Sequence, residues 1–303
     1  MKQSWKSKEF VRLSHSSIRK NSLISHHQTV KDIPMEYKRV LTIAGSDSGG
    51  GAGVQADIKT ISACGCYAAS AITAITVQNT LGVEQVQGLP IEIVGGQIEA
   101  VLSDIGADSI KIGMLHSSEV IRCIAEKLRK YSDIRNVVLD PVMVSTSGHR
   151  LIEESAIETL KEELIPLARI ITPNIPEAEI LIGRKISRQE ELPQIAQELA
   201  EKHNVSVMLK AGHLTEDELT DILYDNEQKQ VLRLTGKRLY TKNTHGTGCT
   251  LSSAIASMLA QGYDIREAVS KAKEYLSNAL AKGAQYEIGH GHGPVCHFWN
   301  LWS

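Results

Sequence analysis

The sequence predicts an α/β fold, a three-layer α/β/α sandwich around a mostly parallel sheet with an antiparallel hairpin at one edge. Three observations predict it. Short apolar runs that end in glycine or turn residues recur from Arg39 onward, and helical patterns of about 10–15 residues fill the gaps between them. Near residue 220 the alternation gives way to two strands joined by a polar turn. Strands alternating with helices imply parallel βαβ units under right-handed crossovers, and wholly apolar strands imply a sheet covered on both faces.

The elements follow in order. Val40–Ala44 reads as a buried strand ending at Gly45, and Val54, Ile58 and Ile61 mark the helix that follows, up to Gly65. Ala69–Val77 is apolar and β-branched, a second strand, and a helix is expected over Ile91–Leu102. Ser109–Gly113 and Asn136–Asp140 repeat the strand signal on either side of a helix over Ser117–Tyr131. Ile170–Thr172 and Val205–Leu209 are further strands, with helices expected near 153–164, 176–182 and 189–203. Leu219–Tyr224, a turn at Asp225-Asn226-Glu227, and Val231–Leu234 form the hairpin. Two helices close the chain. In the first, Leu251, Ile255, Met258 and Leu259 fall on one face, and the second opens at Asp264 with Glu267 three residues on, close to a capping box.

Residues 1–34 have another texture, with seven lysines or arginines against Glu9 and Asp32, frequent Ser and His, and no periodicity. They read as a disordered extension or a misassigned start ahead of Met35, in preference to an organelle transit peptide. Residues 37–303 read as one domain. A net charge of −2 and only two Phe and three Trp give no case for nucleic acid or an anionic membrane. Five cysteines without a C-x-x-C pair suit a reducing compartment and no structural zinc. No apolar run is long enough to span a bilayer, so the cytosol is expected.

The chemistry gathers at the carboxyl ends of strands. Asn243-Thr244-His245-Gly246-Thr247-Gly248-Cys249-Thr250 is a glycine-punctuated turn running into a helix. Its uncovered N–H groups and the positive end of the helix dipole suit a phosphate or a developing negative charge, and the same field favours a Cys249 thiolate. Gly49 to Gly53 follow the first strand. Gly51-Ala52-Gly53-Val54-Gln55-Ala56 satisfies a loosened dinucleotide fingerprint, but no acid follows the second strand, and no Walker A motif exists. What remains is a side-chain-poor loop where α/β sheets bind ligands. Gln78 ends the second strand with a carboxamide able to pair with an amino-substituted heterocycle. Asp140 could face a cation or cap a turn. Asn174 and Glu177, three residues apart, suit Mg²⁺ held partly through water and nucleotide phosphates, or equally an N-cap. Lys210 and Lys242 are candidate phosphate clamps. Together these residues are the parts of a phosphoryl-transfer site.

At this point the chain resembles the hydroxymethylpyrimidine/phosphomethylpyrimidine kinases of thiamine biosynthesis. The likeness runs from Gly45-Ser46-Asp47 and Gly51–Asp57 through Gln78-Asn79-Thr80, Lys111–Met114, Val138–Met143, Thr172–Ala178 and Leu209–His213 to Asn243–Leu251 and Gly291–Phe298. Ser48-Gly49 and Ala211 depart from the usual Pro-Ser and Gly. The resemblance implies a ribokinase-like fold and a homodimer. It also implies two ATP- and Mg²⁺-dependent phosphorylations of 4-amino-5-hydroxymethyl-2-methylpyrimidine, first at the alcohol and then at the monophosphate. In its terms Cys249 is the base in an anion hole of Gly246, Thr247 and Gly248, assisted by Lys210. Gln78 reads the pyrimidine, and Gly45, Asp47, Asp57 and Met114 shape its pocket. Lys210, Asn174, Lys242 and Thr244 hold the nucleotide, and Glu177 and Asp140 the metal. A pyridoxal kinase on the same fold and a non-catalytic pyrimidine-phosphate sensor are the rival readings.

Overall fold

A computed structural model describes residues 36–143, 151–212 and 217–301. The segment 1–34 lies outside the described residues. Among the described residues nine strands form one sheet: β1 (Arg39–Asp47), β2 (Tyr67–Gln78), β3 (Val83–Gly88), β4 (Ser109–Ile112), β5 (Val137–Leu139), β6 (Ile170–Ile171), β7 (Ser206–Leu209), β8 (Glu218–Asp225) and β9 (Gln230–Lys237). Their order across the sheet is β3-β2-β1-β4-β5-β6-β7-β8-β9. From β2 to β7 every pairing is parallel. The expected hairpin β8–β9 closes one edge in antiparallel sense. The other edge corrects the expectation, because β3 also runs antiparallel, against β2. Val-Glu-Gln-Val-Gln-Gly is mostly polar and only half-covered, so it lacks the apolar signature that marked the other strands.

The helices cover both faces, as the alternation requires. They are α1 (Gly53–Ala63), α2 (Ile91–Ala100), α3 (Ser118–Lys130), α4 (Glu154–Thr159), α5 (Ile175–Ile182), α6 (Leu192–His203), α7 (Thr247–Ala260) and α8 (Ile265–Gly283). Successive strand residues point to opposite faces. Leu41, Ile43, Ile110, Ile112 and Leu139 therefore enter one core with α2, α3 and α6, while Val40, Val138, Ile170 and Met208 enter a second core with α7 and α8. The caps are local. Ser117 caps α3 through the Val120 N–H, and Asp264 caps α8 through the Glu267 N–H at 2.8 Å. Gly183 ends α5 at φ 81°, a left-handed conformation that glycine adopts without steric cost.

This topology brings the ends of β1, β2, β4, β5, β6 and β7 and the start of α7 to one rim. There the last residues of the chain cross over. His292 N–H donates to Thr80 O at 2.8 Å, and His245 N–H donates to Gly293 O at 3.0 Å.

Candidate active site

A cleft of about 820 Å³ opens along that rim. Its floor at the sheet centre is made by Ala44, Lys111, Asp140 and the α7 turn, with Gln78, Thr76 and Met114 at the β2 end and Leu219, Leu276 and Leu280 at the β8 end. The site residues are therefore spread over the width of the sheet, enough for two ligands laid end to end.

The α7 turn is the central piece. Gly246 stands before the helix at φ 77°, and a Cβ there would lie 1.8 Å from Gly51 O. Only glycine permits that approach. No side chain caps α7, and among the described residues its first N–H with a backbone partner outside the helix is that of Thr247, 3.3 Å from Thr244 O. The Gly248 and Cys249 N–H groups are left to face the cleft, with the helix dipole behind them. A Cβ on Gly248 would sit 3.3 Å from Asp140 Oδ2 and 3.4 Å from Lys210 Nζ. The missing side chain thus leaves a gap between the helix end, a carboxylate and an ammonium.

The glycine loop after β1 is explained by this packing. A Cβ on Gly51 would meet the His245 ring at 2.4 Å, and one on Gly53 would meet Gly45 O at 2.3 Å. Asp47 organises the loop, accepting from the N–H groups of Gly49, Gly51 and Ala52 at 2.8–3.0 Å and from His245 Nε2 at 2.8 Å. Burial opposes its ionisation, but the His245 hydrogen bond and the loop N–H groups win and lower its pKa. Asp47 therefore reaches the cleft wall with its carboxylate already engaged.

Buried Asp140 and Glu177 and half-buried Lys210 form a group at the ends of β5, β7 and the start of α5. Lys210 Nζ donates to Asp140 Oδ1 at 3.0 Å, and Thr172 Oγ1 donates to the same oxygen at 2.9 Å. Asn174 and Glu177 form a full capping box, each side chain accepting the other's backbone N–H at 2.9 Å. The N-cap alternative is realised, and both residues still line the cleft. Burial raises the Glu177 pKa to about 7; Lys210 opposes the shift, while Asp140 adds to it. The Lys210 ammonium loses by burial and gains more from Asp140 and Glu177, so its pKa is raised. Two carboxylates sharing one ammonium leave surplus negative charge. Their existing hydrogen bonds suit a Mg²⁺ held largely through water. Among the described residues no group of three or more His, Cys, Asp or Glu gathers as a cage.

Three expectations need correction. Asp57 does not line the cleft. It is fully buried, accepting from Lys111 Nζ at 2.8 Å, Thr42 Oγ1 at 2.6 Å and Ser253 Oγ at 2.8 Å. It fixes Lys111, which does line the cleft and whose charge survives complete burial because the Asp57 carboxylate, with Asp140 beyond it, outweighs the desolvation. Lys242 stands outside the cleft, exposed and 3.6 Å from Glu287. The thiolate expected at Cys249 is reversed as well. Burial pushes the thiol up to about 11; Lys111 pulls it down, but Asp57 and Asp140 push it up again. Gly45, Met114, Gln78 and Thr244 all line the cleft as expected. Sequence reasoning missed Lys111 and His245 as site residues. A lysine inside an otherwise apolar strand was the available signal for the first.

A family model described as phosphomethylpyrimidine kinase matches residues 47–296. The hydroxymethylpyrimidine/phosphomethylpyrimidine kinase of Rhizobium meliloti is 49% identical over 264 residues, covering 87% of this chain and 98% of that protein. A stretch of 264 residues, 87% of this chain, is also 49% identical to the thiamine biosynthesis bifunctional protein ThiED of Geobacter sulfurreducens, of which it covers 53%. Among solved structures, the phosphomethylpyrimidine kinase of Clostridium difficile aligns with a TM-score of 0.70 at 47% identity, over 80% of this chain and all but 1% of that one (99%). The pyridoxal kinase of Staphylococcus aureus, solved with ADP, aligns with a TM-score of 0.80 at 34% identity, over 88% and 95% of the two chains. On this match of sequence, fold and cleft, the chain belongs to the phosphomethylpyrimidine kinase family.

Proposed function

We propose that this protein transfers the γ-phosphoryl group of ATP to the alcohol of 4-amino-5-hydroxymethyl-2-methylpyrimidine and then phosphorylates the monophosphate, within thiamine biosynthesis. The observation that carries this reading is the gap at Gly248, bounded by a helix N-terminus, Lys210 and Asp140, midway along a cleft with an amide at one end and leucines at the other. The pyrimidine lies at the β2 end against Gln78, Gly45 and Met114. The adenine lies among Leu219, Leu276 and Leu280, and the triphosphate runs inward past Asn174, Thr244 and Lys210. In the reaction the alcohol oxygen bonds to the γ-phosphorus, the bridging P–O bond to ADP breaks, and the hydroxyl proton is released. Charge developing on the transferred group meets the Gly248 and Cys249 N–H groups and the Lys210 ammonium, which are already in place. Asp140 and Glu177 would hold Mg²⁺, which neutralises phosphate charge when bound. Because the Cys249 thiol holds its proton in the free protein, the anion hole supplies more of the rate than the base. A Cys249→Ala variant is expected to lose less than about 100-fold in kcat, under the lower end of what general-base catalysis typically supplies.

A pyridoxal kinase is the second reading, favoured by the Staphylococcus aureus alignment. We further assign residues 37–303 to one kinase domain, acting in the cytosol as a homodimer; its five free cysteines are in keeping with a reducing compartment. The deciding experiment measures ADP release with MgATP and either pyrimidine or pyridoxal. Turnover on both pyrimidines, with pyridoxal slower, is expected. Turnover on pyridoxal alone would overturn the substrate assignment, and binding of pyrimidine without turnover would make the protein a sensor.

A further inference from the structure

Lys210 stands where the sheet stops supporting its own backbone. Strand β7 is paired to β8 as far as Leu209, opposite Ile222, and Ala211 lies beyond the last pair of that ladder. The Lys210 N–H still donates to Pro173 O at 3.0 Å. The Ala211 N–H is taken by a side chain, donating to Asp221 Oδ1 at 2.7 Å. Asp221 is a buried residue of β8, and its other oxygen accepts from Lys273 Nζ on α8 at 2.6 Å. One carboxylate therefore ties the residue after Lys210 to β8 and to α8. Lys273 shares a helix face with Leu276 and Leu280, at i, i+3 and i+7. Asp221, Lys273 and both leucines line the cleft. Nothing in the transfer of the phosphoryl group itself calls for an ion pair at this place.

We propose that Asp221 is a positioning residue for Lys210, and that Lys273 is the counter-charge that lets a buried carboxylate stand beside ATP. The proposal rests on the reading that the nucleotide occupies the β8 end with its phosphates at Lys210. A lysine ammonium sits on a flexible four-carbon stem, so it is only as well placed as the backbone that carries it. Lys210 Nζ is 3.0 Å from Asp140 Oδ1. A displacement of about 1 Å at such a site can cost about 100-fold in rate. With Pro173 O before it and Asp221 after it, the backbone at Lys210 is held on both sides. That hold requires an acceptor and no charge. The charge is a liability, because Asp140 and Glu177 already leave surplus negative charge in the cleft and ATP brings more. Lys273 offsets it. Its side chain is 25% exposed and that of Asp221 7%, so solvent screens the pair only in part.

Substitution separates the acceptor from the charge. In Asp221→Asn the carboxamide oxygen goes to the Ala211 N–H, because Lys273 can turn to solvent and the backbone cannot. Its kcat is expected to stay within about threefold of wild type, whereas Asp221→Ala, which removes the acceptor, is expected to lose about tenfold or more with KM for the pyrimidine unchanged. Equal kcat in the Asn and Ala variants, high or low, would overturn the positioning role. Lys273→Met leaves the carboxylate uncompensated, and KM for ATP is expected to rise about tenfold or more. Combining it with Asp221→Asn removes both charges, and KM for ATP is expected to return to within about threefold of wild type. An unchanged KM in Lys273→Met would overturn the counter-charge role. So would a double variant as weak as Lys273→Met, which would make Lys273 an ATP ligand in its own right. The unmodified protein gives a readout that needs no folded variant. Hydrogen exchange at the Ala211 amide is expected to be as slow as in the β7 ladder, and exchange as fast as in an open loop would overturn the hydrogen bond on which the proposal stands. If Lys210→Met leaves kcat and KM for ATP unchanged, the reading of the nucleotide end fails, whatever the Asp221 variants show.

Discussion

Ionising Glu177 carries a cost in the free protein. Its pKa is near 7 folded and about 4.3 unfolded, so between those values the folded chain holds a proton the unfolded chain has released. Stability therefore falls as pH rises through that window, and the deficit is complete above it. Glu177→Gln keeps an oxygen for the Asn174 N–H and removes the charge. Its melting temperature without ligand is expected to exceed that of wild type by about 3 °C or more at pH 8 and to match it near pH 4, while MgATP stabilises wild type more than the variant. Equal shifts at both pH values would remove the charge argument. At this scale the sequence was read unevenly. Residue type and strand-end position sufficed to find Gln78, Asp140, Glu177 and Lys210, but which carboxylate faces the cleft and which faces the core depends on packing. The family resemblance implies Asp57 in the pocket, although it is one turn inside α1 and committed to Lys111. Lys242 shows the reverse error, being close to the α7 turn in sequence and paired to Glu287 away from the cleft.

Helix α7 puts two glycines to different uses, and substitution separates them. Gly246→Ala adds a carbon 1.8 Å from Gly51 O at a positive φ, so backbone must move on both sides of the contact. A loss of folding stability of more than about 2 kcal/mol, read by chemical denaturation, is expected. Gly248→Ala gives the helix a better helix former, worth up to about 1 kcal/mol. Its new methyl group fills the phosphate gap near Asp140 and Lys210. That variant is expected to melt at or above the wild-type temperature while kcat falls at least tenfold. Unaltered turnover would mean that the transferred phosphate sits elsewhere. From sequence alone the glycines of the β1–α1 loop suggest a side-chain-poor loop open to a ligand, yet the space over Gly51 and Gly53 is filled by His245 and by Gly45 O. Spacing showed that a close approach existed, and only the fold shows that the approaching group belongs to the chain itself. The missed strand β3 has a similar cause. An edge strand with polar residues on its open side has no hydrophobic period to display.

Across the whole molecule, regular alternation made the parallel centre of the sheet legible, because each βαβ unit announces itself locally. How the last segment returns to the rim was not legible, because it depends on contacts with residues more than two hundred positions earlier, such as Gly291 with Thr80. His297 anchors this return. It is 5% exposed, and burial pushes its pKa down to about 4, with the nearby Lys59 charge adding to the effect. The unfolded chain binds a proton near pH 6.5 that the folded chain refuses. Its contribution to stability is thus present above pH 6.5 and is lost as pH falls toward 4. His297→Gln is expected to flatten the dependence of stability on pH in that window, measured by denaturation from pH 7 to 4; an unchanged slope would assign acid sensitivity to other groups. The return of the tail also has a temporal consequence. Gly291 and His292 pin the loop after Gln78, and Gly293 pins His245, so the cleft acquires its β2 end only when the final turns of the chain are available. During synthesis the sheet can assemble from its early strands, but the β2 end of the cleft is complete only once residues 291–293 have been made and docked.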